Sequence, residues 1–341
     1  MNKQISALTI IAILAVGLVV WLSQSPSKDT FESKLLFADL QKFANKVDSV
    51  EIQNAQGMLF SAKKLGDTWL ATFDPEQPVY PISRDKLATF VDTMMRSKLV
   101  EAKTNKPKNF FRLGLQSIES EDSMATLVTL KADDHSWQVL VGNEVTLGEG
   151  HYVLISGDAQ SWRTDKTIGL PIDKFSWLKQ PILPFEEQDI SSVSRVDSLN
   201  WKITRAASGD FQLIDLPKDR VLEYDSILNS VISNLISLNF ESLQVANEDF
   251  SHSLKVLTQL EVTTKEQRTF QVVVSELGDK HFVNFSANEQ PEYWQKWHYQ
   301  VSNFSAQQLI KTLDDFLAEP STPTNESNTL PQAVDEGESP Y

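Results

Sequence analysis

Cysteine is absent from all 341 residues. That excludes disulfide staples, thiolate metal centres, thiol nucleophiles and lipid attachment through cysteine, so buried apolar area has to hold the fold together. A chain of this length can supply it. Basic residues are also scarce: 31 Lys and Arg stand against 46 Asp and Glu, a net charge of −15. No basic stripe offsets that balance, and a polyanion repels a phosphate backbone, so no nucleic-acid partner is expected.

Catalytic signatures are missing too. The sequence has no GxxxxGK phosphate loop, no GxSxG nucleophile elbow and no HExxH zinc helix. Gly148-Glu149-Gly150 is half of a glycine fingerprint, but His151–Ile155 (HYVLI) after it reads as a strand rather than a helix, which makes the pair a turn. His135, His151, His252, His281 and His298 fall in different elements with no i, i+4 pair. Asp133-Asp134, Glu186-Glu187 and Asp314-Asp315 are adjacent in sequence. Neighbours on a strand point to opposite faces, so adjacency does not build a carboxylate dyad. The expectation is a non-enzymatic protein without cofactor or metal.

What the chain does have is one long apolar run, Ile5–Leu22 (ISALTIIAILAVGLVVWL), free of charge and proline. A helix rising about 1.5 Å per residue needs about 20 residues to cross a bilayer core, and residues 5–24 meet that length. Trp21 fits an interfacial anchor. A cleaved secretory signal has a shorter apolar region, and cutting at Ser23-Gln24-Ser25 would leave Pro26 at the new N-terminus, so an uncleaved signal anchor is favoured. Lys3 and the terminal amine make residues 1–4 a positive cytoplasmic stub, with the bulk of the chain outside. Ala12, Ala15 and Gly17 are small enough for close helix packing in the membrane, although lipid exposure explains them as well.

Residues 25–34 read as a polar linker, and 319–341, rich in Pro, Ser, Thr and acids without a base, as a disordered acidic tail. Between them the pattern repeats. Short alternating strands at Val47–Ile52, Met58–Lys64 and Trp69–Ala71 have counterparts at Ser192–Val196, Trp201–Arg205 and Phe211–Ile214. A helix follows each set. Ser83 is placed to cap the first, with Leu87, Phe90, Val91 and Met94 on one face. Asp225 is placed to cap the second, with Ile227, Leu228, Val231, Ile232, Leu235 and Ile236.

The connector Phe111–Leu115 then matches Phe250–Leu254, and the strands 125–131, 137–141 and 152–155 match 256–263, 269–274 and 282–285. Gln160–Trp162 matches Gln295–Trp297. The expected fold class is α+β: an N-terminal transmembrane helix, then two tandem repeats, 35–184 and 185–318, each a mainly antiparallel sheet with a covering helix. A closing helix with a Ser305/Gln308 capping box and a stripe of Leu309, Ile310, Leu313, Phe316 and Leu317 ends the second repeat, and its counterpart around Asp173–Leu178 is weaker.

The most suggestive cluster is Tyr293–Tyr299 (YWQKWHY). Tyr293, Trp294, Trp297 and Tyr299 are the candidate interaction surface, because protruding rings stack on sugars or partner proteins. Packing is the competing reading: Trp297, Tyr299 and Val301 alternate as one strand face, and the repeat sets Trp162 opposite Trp297.

The stretch 35–184 resembles a bacterial family called domain of unknown function 4340. The resemblance rests on Leu36–Leu40 (LFADL), Val47–Ile52 (VDSVEI), Gly66–Trp69 (GDTW), Val100–Ala102 (VEA), Phe111–Leu115 (FRLGL), Val141-Gly142 and Tyr152-Val153, with a weaker match in the second unit, where Ser253 replaces Gly114. It implies no known reaction and no catalytic residues. It does imply a single-pass protein of the bacterial inner membrane facing the periplasm, often encoded beside transport ATPases and permeases of the gliding-motility type. The expected function is a membrane-tethered periplasmic accessory protein of an inner-membrane partner, an ABC-type permease. The alternative is a glycan- or peptidoglycan-binding envelope module.

Overall fold

The computed structural model describes residues 32–74, 76–198, 200–289 and 291–319. The expected anchor at 5–24, with Ala12, Ala15 and Gly17, and the tail from 320 onward lie outside the described residues. Among the described residues no helix is long and apolar enough to cross a membrane. The fold is α+β, with two antiparallel sheets and a few short helices, and the chain parts into two compact units between Gln180 and Pro181, ahead of the Pro184 boundary drawn from sequence.

The first unit holds β1 (Lys34–Leu35), β2 (Val47–Asn54), β3 (Gly57–Leu65), β4 (Thr68–Ala71), β5 (Tyr80–Pro81), helix α1 (Arg84–Arg96), β6 (Lys98–Ala102), β7 (Thr126–Ala132), β8 (His135–Glu144), β9 (His151–Ile155) and β10 (Trp162–Thr164). The second holds β11 (Ile190–Arg195), β12 (Trp201–Arg205), β13 (Phe211–Ile214), α2 (Ile227–Ile236), β14 (Ser242–Val245), α3 (Glu248–Ser253), β15 (Lys255–Thr264), β16 (Thr269–Leu277), β17 (Lys280–Ala287), α4 (Glu292–Lys296), β18 (Trp297–Val301) and α5 (Asn303–Leu309).

The second sheet runs β13-β12-β11-β15-β16-β17-β18-β14. The first runs β5-β4-β3-β2-β7-β8-β9-β10-β6-β1, so inside its two outermost strands it follows the same path. The equivalence extends to register. Trp162 pairs with Ala102, the last residue of β6, and Trp297 with Val245, the last residue of β14. The Lys103 N–H then donates to Ser161 O and the Ala246 N–H to Lys296 O, both at 2.9 Å.

Alternation of side chains drives these strands into sheets with one buried face. Val50 and Ile52 on β2, Trp137, Val139 and Val141 on β8, and Phe270, Val272 and Val274 on β16 are all buried. In the first unit Ser83 caps α1, its hydroxyl accepting from the Lys86 N–H, and Leu87, Phe90 and Met94 are buried as the stripe requires. Phe90 meets Trp177 at 4.9 Å between centroids, and Trp177 meets Phe60 of β3 at 5.0 Å, which ties the helix to the sheet.

Helix ends in the second unit depart from the sequence expectation. Asp225 does not cap α2: Ser226 is the cap residue, its side chain makes no capping bond, and the Ile227 N–H is taken by Tyr224 O in a backbone turn. The closing helix starts at Ser302, whose hydroxyl accepts from the Ser305 N–H at 3.1 Å, so Ser305 lies inside α5 rather than heading a capping box with Gln308. It stops at Leu309 because other donors claim the next carbonyls. Buried Arg195 donates to Ile310 O at 2.6 Å and to Lys311 O at 3.0 Å while its Nε holds Asp197 at 2.8 Å, and Trp201 Nε1 also donates to Lys311 O. Carbonyls held sideways in this way cannot accept from a continuing helix. Leu313, Phe316 and Leu317 therefore follow in a separate 3-10 turn, Asp314–Phe316.

Candidate functional site

At one end of the second sheet, the loop before β11, the β15–β16 hairpin and the β17–α4 loop surround a cavity of about 680 Å³. This lies within the range of about 300–1,000 Å³ usual for small-ligand sites. Phe185, Phe270 and Trp294 form its apolar side, and Asp189, Lys265, Glu266, Gln267, Arg268, Asn288 and Glu289 its polar side.

The apolar side is the outer end of a ladder of rings. Phe185 stacks on Phe270 at 5.3 Å and 13°, Phe270 meets Trp294 at 5.8 Å, and Trp294 meets Phe285 at 5.3 Å. Phe285 in turn meets Tyr299 at 5.5 Å, and Tyr299 meets Phe240 at 5.8 Å. One donor in this ladder is unsatisfied: Trp294 is 2% exposed and its Nε1 makes no hydrogen bond of proper geometry. The neighbouring Tyr293 phenol is pushed above its usual pKa by burial, and a poorly formed hydrogen bond from the Trp294 indole opposes that shift.

The hairpin carries a second irregularity. Thr264 N–H donates to Arg268 O and Gln267 N–H to Thr264 O, and this tight turn holds Gln267 at φ 61°. Glycine is the residue that adopts such a conformation without steric cost. Arg268 is engaged by Glu266.

The matching end of the first sheet is closed. There the 3-10 turn before the first long strand runs over Leu40–Lys46, against Glu187–Asp189 in the second unit. Phe43 from it lies 4.0 Å from His135 and 5.6 Å from Trp137, and the Trp137 Nε1–H is satisfied by Asp39 at 2.8 Å. Trp137 and Phe270 are the first buried positions of equivalent strands, β8 and β16. Trp137 is covered by Phe43 and hydrogen-bonded to Asp39, and Phe270 is covered by Phe185 at the edge of the cavity.

A family profile for a domain of unknown function (DUF4340) matches residues 69–256, more than half of the 341-residue chain. The chain belongs to the DUF4340 family. The match opens in β4 and ends in β15, so it extends beyond the first unit, where the sequence resemblance was drawn, into the second. No curated protein and no solved structure matches this DUF4340 chain.

Several residues singled out from the DUF4340 sequence occupy other positions than a functional reading needs. Trp294, Trp297 and Tyr299 are 2%, 1% and 0% exposed, and Tyr293 is half-buried. The candidate interaction surface is therefore not a presented face: Trp297 and Tyr299 point inward on β18, and Trp294 turns inward from α4 onto Phe285. Gly148 and Gly150 sit at φ 99° and 113° in the β8–β9 turn, and a Cβ on Gly150 would lie 2.0 Å from Thr164 O. That pair permits a close backbone approach within the sheet.

Among the described residues no group of three or more His, Asp or Glu side chains is arranged to hold a metal ion. Asp133 and Asp134 form the β7–β8 turn, with Asp133 paired to Lys46 at 2.8 Å. Glu186 caps the 3-10 turn that Glu187 opens. The cavity itself went unread in the sequence, because its walls come from loop residues far apart in the chain. Phe185, an aromatic stranded after Pro184 outside any strand pattern, was the available signal.

Proposed function

We propose that the protein is a membrane-tethered, non-enzymatic envelope module that works beside an inner-membrane partner of the ABC-permease class. The observation that carries this reading is the charge-free run Ile5–Leu22 ahead of the two folded units of an acidic chain. A single transmembrane helix there would place the stub 1–4 in the cytoplasm and the two sheet units in the periplasm. Tethering confines the units to the neighbourhood of the bilayer and raises their effective concentration near a membrane partner. The common strand path of the two units supports a duplicated module. The non-enzymatic reading rests on the sequence, which carries no catalytic signature.

Copurification of the tagged full-length chain from its own membranes in mild detergent tests the reading. Permease or ATPase subunits are expected with it. Recovery of the chain alone, under conditions that retain known membrane complexes, would overturn the proposal.

A second reading, that the second unit binds a small envelope ligand, is favoured by the open, aromatic-walled cavity at one end of its sheet.

A further inference from the structure

Building on the ligand-binding reading, we infer that the cavity between the loop before β11, the β15–β16 hairpin and the β17–α4 loop takes a short neutral saccharide. Charge selects against the alternatives. Three carboxylates (Asp189, Glu266, Glu289) and two cations (Lys265, Arg268) line it, and Arg268 is already engaged by Glu266, which leaves a poor host for an anion. A peptide strand finds no ladder to extend at the hairpin, because β15 and β16 each have two hydrogen-bonded neighbours. A wholly apolar ligand would strip water from the charged side without replacing its hydrogen bonds. A pyranose ring offers an apolar C–H face to Phe185 and hydroxyls that both donate and accept, which suits a wall of amides and carboxylates.

Two local costs become intelligible on this assignment. A buried indole N–H with no well-formed hydrogen bond is unfavourable, and so is a glutamine held at φ 61°. Trp294 lines the cavity from α4, which spans only Glu292–Lys296, and on this assignment its N–H takes a ligand oxygen as acceptor. Gln267 presents its amide on the opposing hairpin. Strain and an unpaired donor gathered at one cavity are the pattern of a site shaped for a ligand rather than for stability.

The test uses the full-length chain in lipid nanodiscs, which avoids sugar-headed detergents, titrated with N-acetylglucosamine oligomers and, in parallel, glucose oligomers. Saturation-transfer NMR and tryptophan fluorescence are the readouts. Saturable binding to either series is expected. Trp294→Phe and Gln267→Gly each should weaken it about three- to tenfold, the range expected for one neutral hydrogen bond. Gln267→Gly should also leave the thermal midpoint unchanged or raised, since it relieves backbone strain, whereas Trp294→Phe loses buried packing and should lower it. Phe185→Ala should weaken binding at least tenfold.

No saturable binding at millimolar concentrations, or binding that none of the three substitutions alters, would overturn the inference. So would a fall in midpoint for Gln267→Gly, which marks a purely structural role for that residue. Binding of inorganic phosphate or an acetylated diproline instead, sensitive to the same substitutions, overturns the saccharide assignment while the ligand-binding reading stands.

Discussion

Among the described residues, His151 and His298 are the buried histidines of the two sheets, one in each unit. The His151 Nδ1 accepts from the Ile168 N–H at 3.0 Å, which requires a lone pair at that nitrogen and therefore a neutral ring. The His298 Nε2 lies 3.0 Å from Ser251 Oγ. Burial pushes both imidazoles below their usual pKa, with the Glu144 carboxylate opposing this at His151. A folded-state value below the unfolded one means that the unfolded chain takes up the proton first. The contribution of these rings to stability is complete above a pH of about 6.5, erodes as the pH falls through that value, and stops eroding below the folded-state pKa values.

A second acid step follows from carboxylates held below their usual range: Glu101 by its bond from Lys103, Asp158 by the Gln160 N–H and Asp315 by the Thr312 N–H. Their contribution is present above their unfolded values and is lost as the pH falls through the lower folded ones, below about 4. The urea midpoint of each unit's own transition, plotted against pH, should therefore descend in two steps, and His151→Gln should shrink the upper one in the first unit. A flat profile from pH 8 to 5 would contradict the neutral-ring assignment.

Elements show where local chemistry decides and where the path of the chain overrides it. Ser302 and Ser305 are both able to start α5, and the structure uses Ser302. Ser302→Ala should cost about 1 kcal/mol in urea unfolding and Ser305→Ala much less, because only the former removes an acceptor from an otherwise orphaned helix N–H. Equal losses would return the cap to Ser305. The strands were legible because alternation is a local signal that tertiary contacts reinforce, as in β16, where every second residue from Phe270 to Val274 is buried. The α2 stripe was legible for the same reason. The helix stop at Leu309 was not, because it is imposed by Arg195 and Trp201, more than a hundred residues earlier. Nor was the inward turn of Trp294: proximity to Trp297 and Tyr299 in sequence gives no direction, and only the α4 turn aims the ring at Phe285.

At the scale of the whole chain, every strand of the ten-stranded sheet comes from residues before Gln180 and every strand of the eight-stranded sheet from residues after Pro181. Each unit also buries its own apolar set, Val50, Ile52, Val139 and Val153 in the first and Val193, Ile203, Val272 and Phe285 in the second. A domain with its own core and ladders is able to fold alone, and about 140–150 residues is an ordinary domain size. The fragments 32–180 and 181–319 are therefore each expected to give sharp near-UV circular dichroism and a single cooperative urea transition. Two-state analysis then applies to each fragment, while the full chain gives the sum of two transitions rather than one free energy. The cavity lies within the second fragment, so added saccharide should raise the midpoint of that fragment alone, by mass action on its folded state. Loss of cooperativity in either fragment would mean that its core depends on residues from the other half, and would remove the grounds for treating the duplicated sheets as separately folding modules.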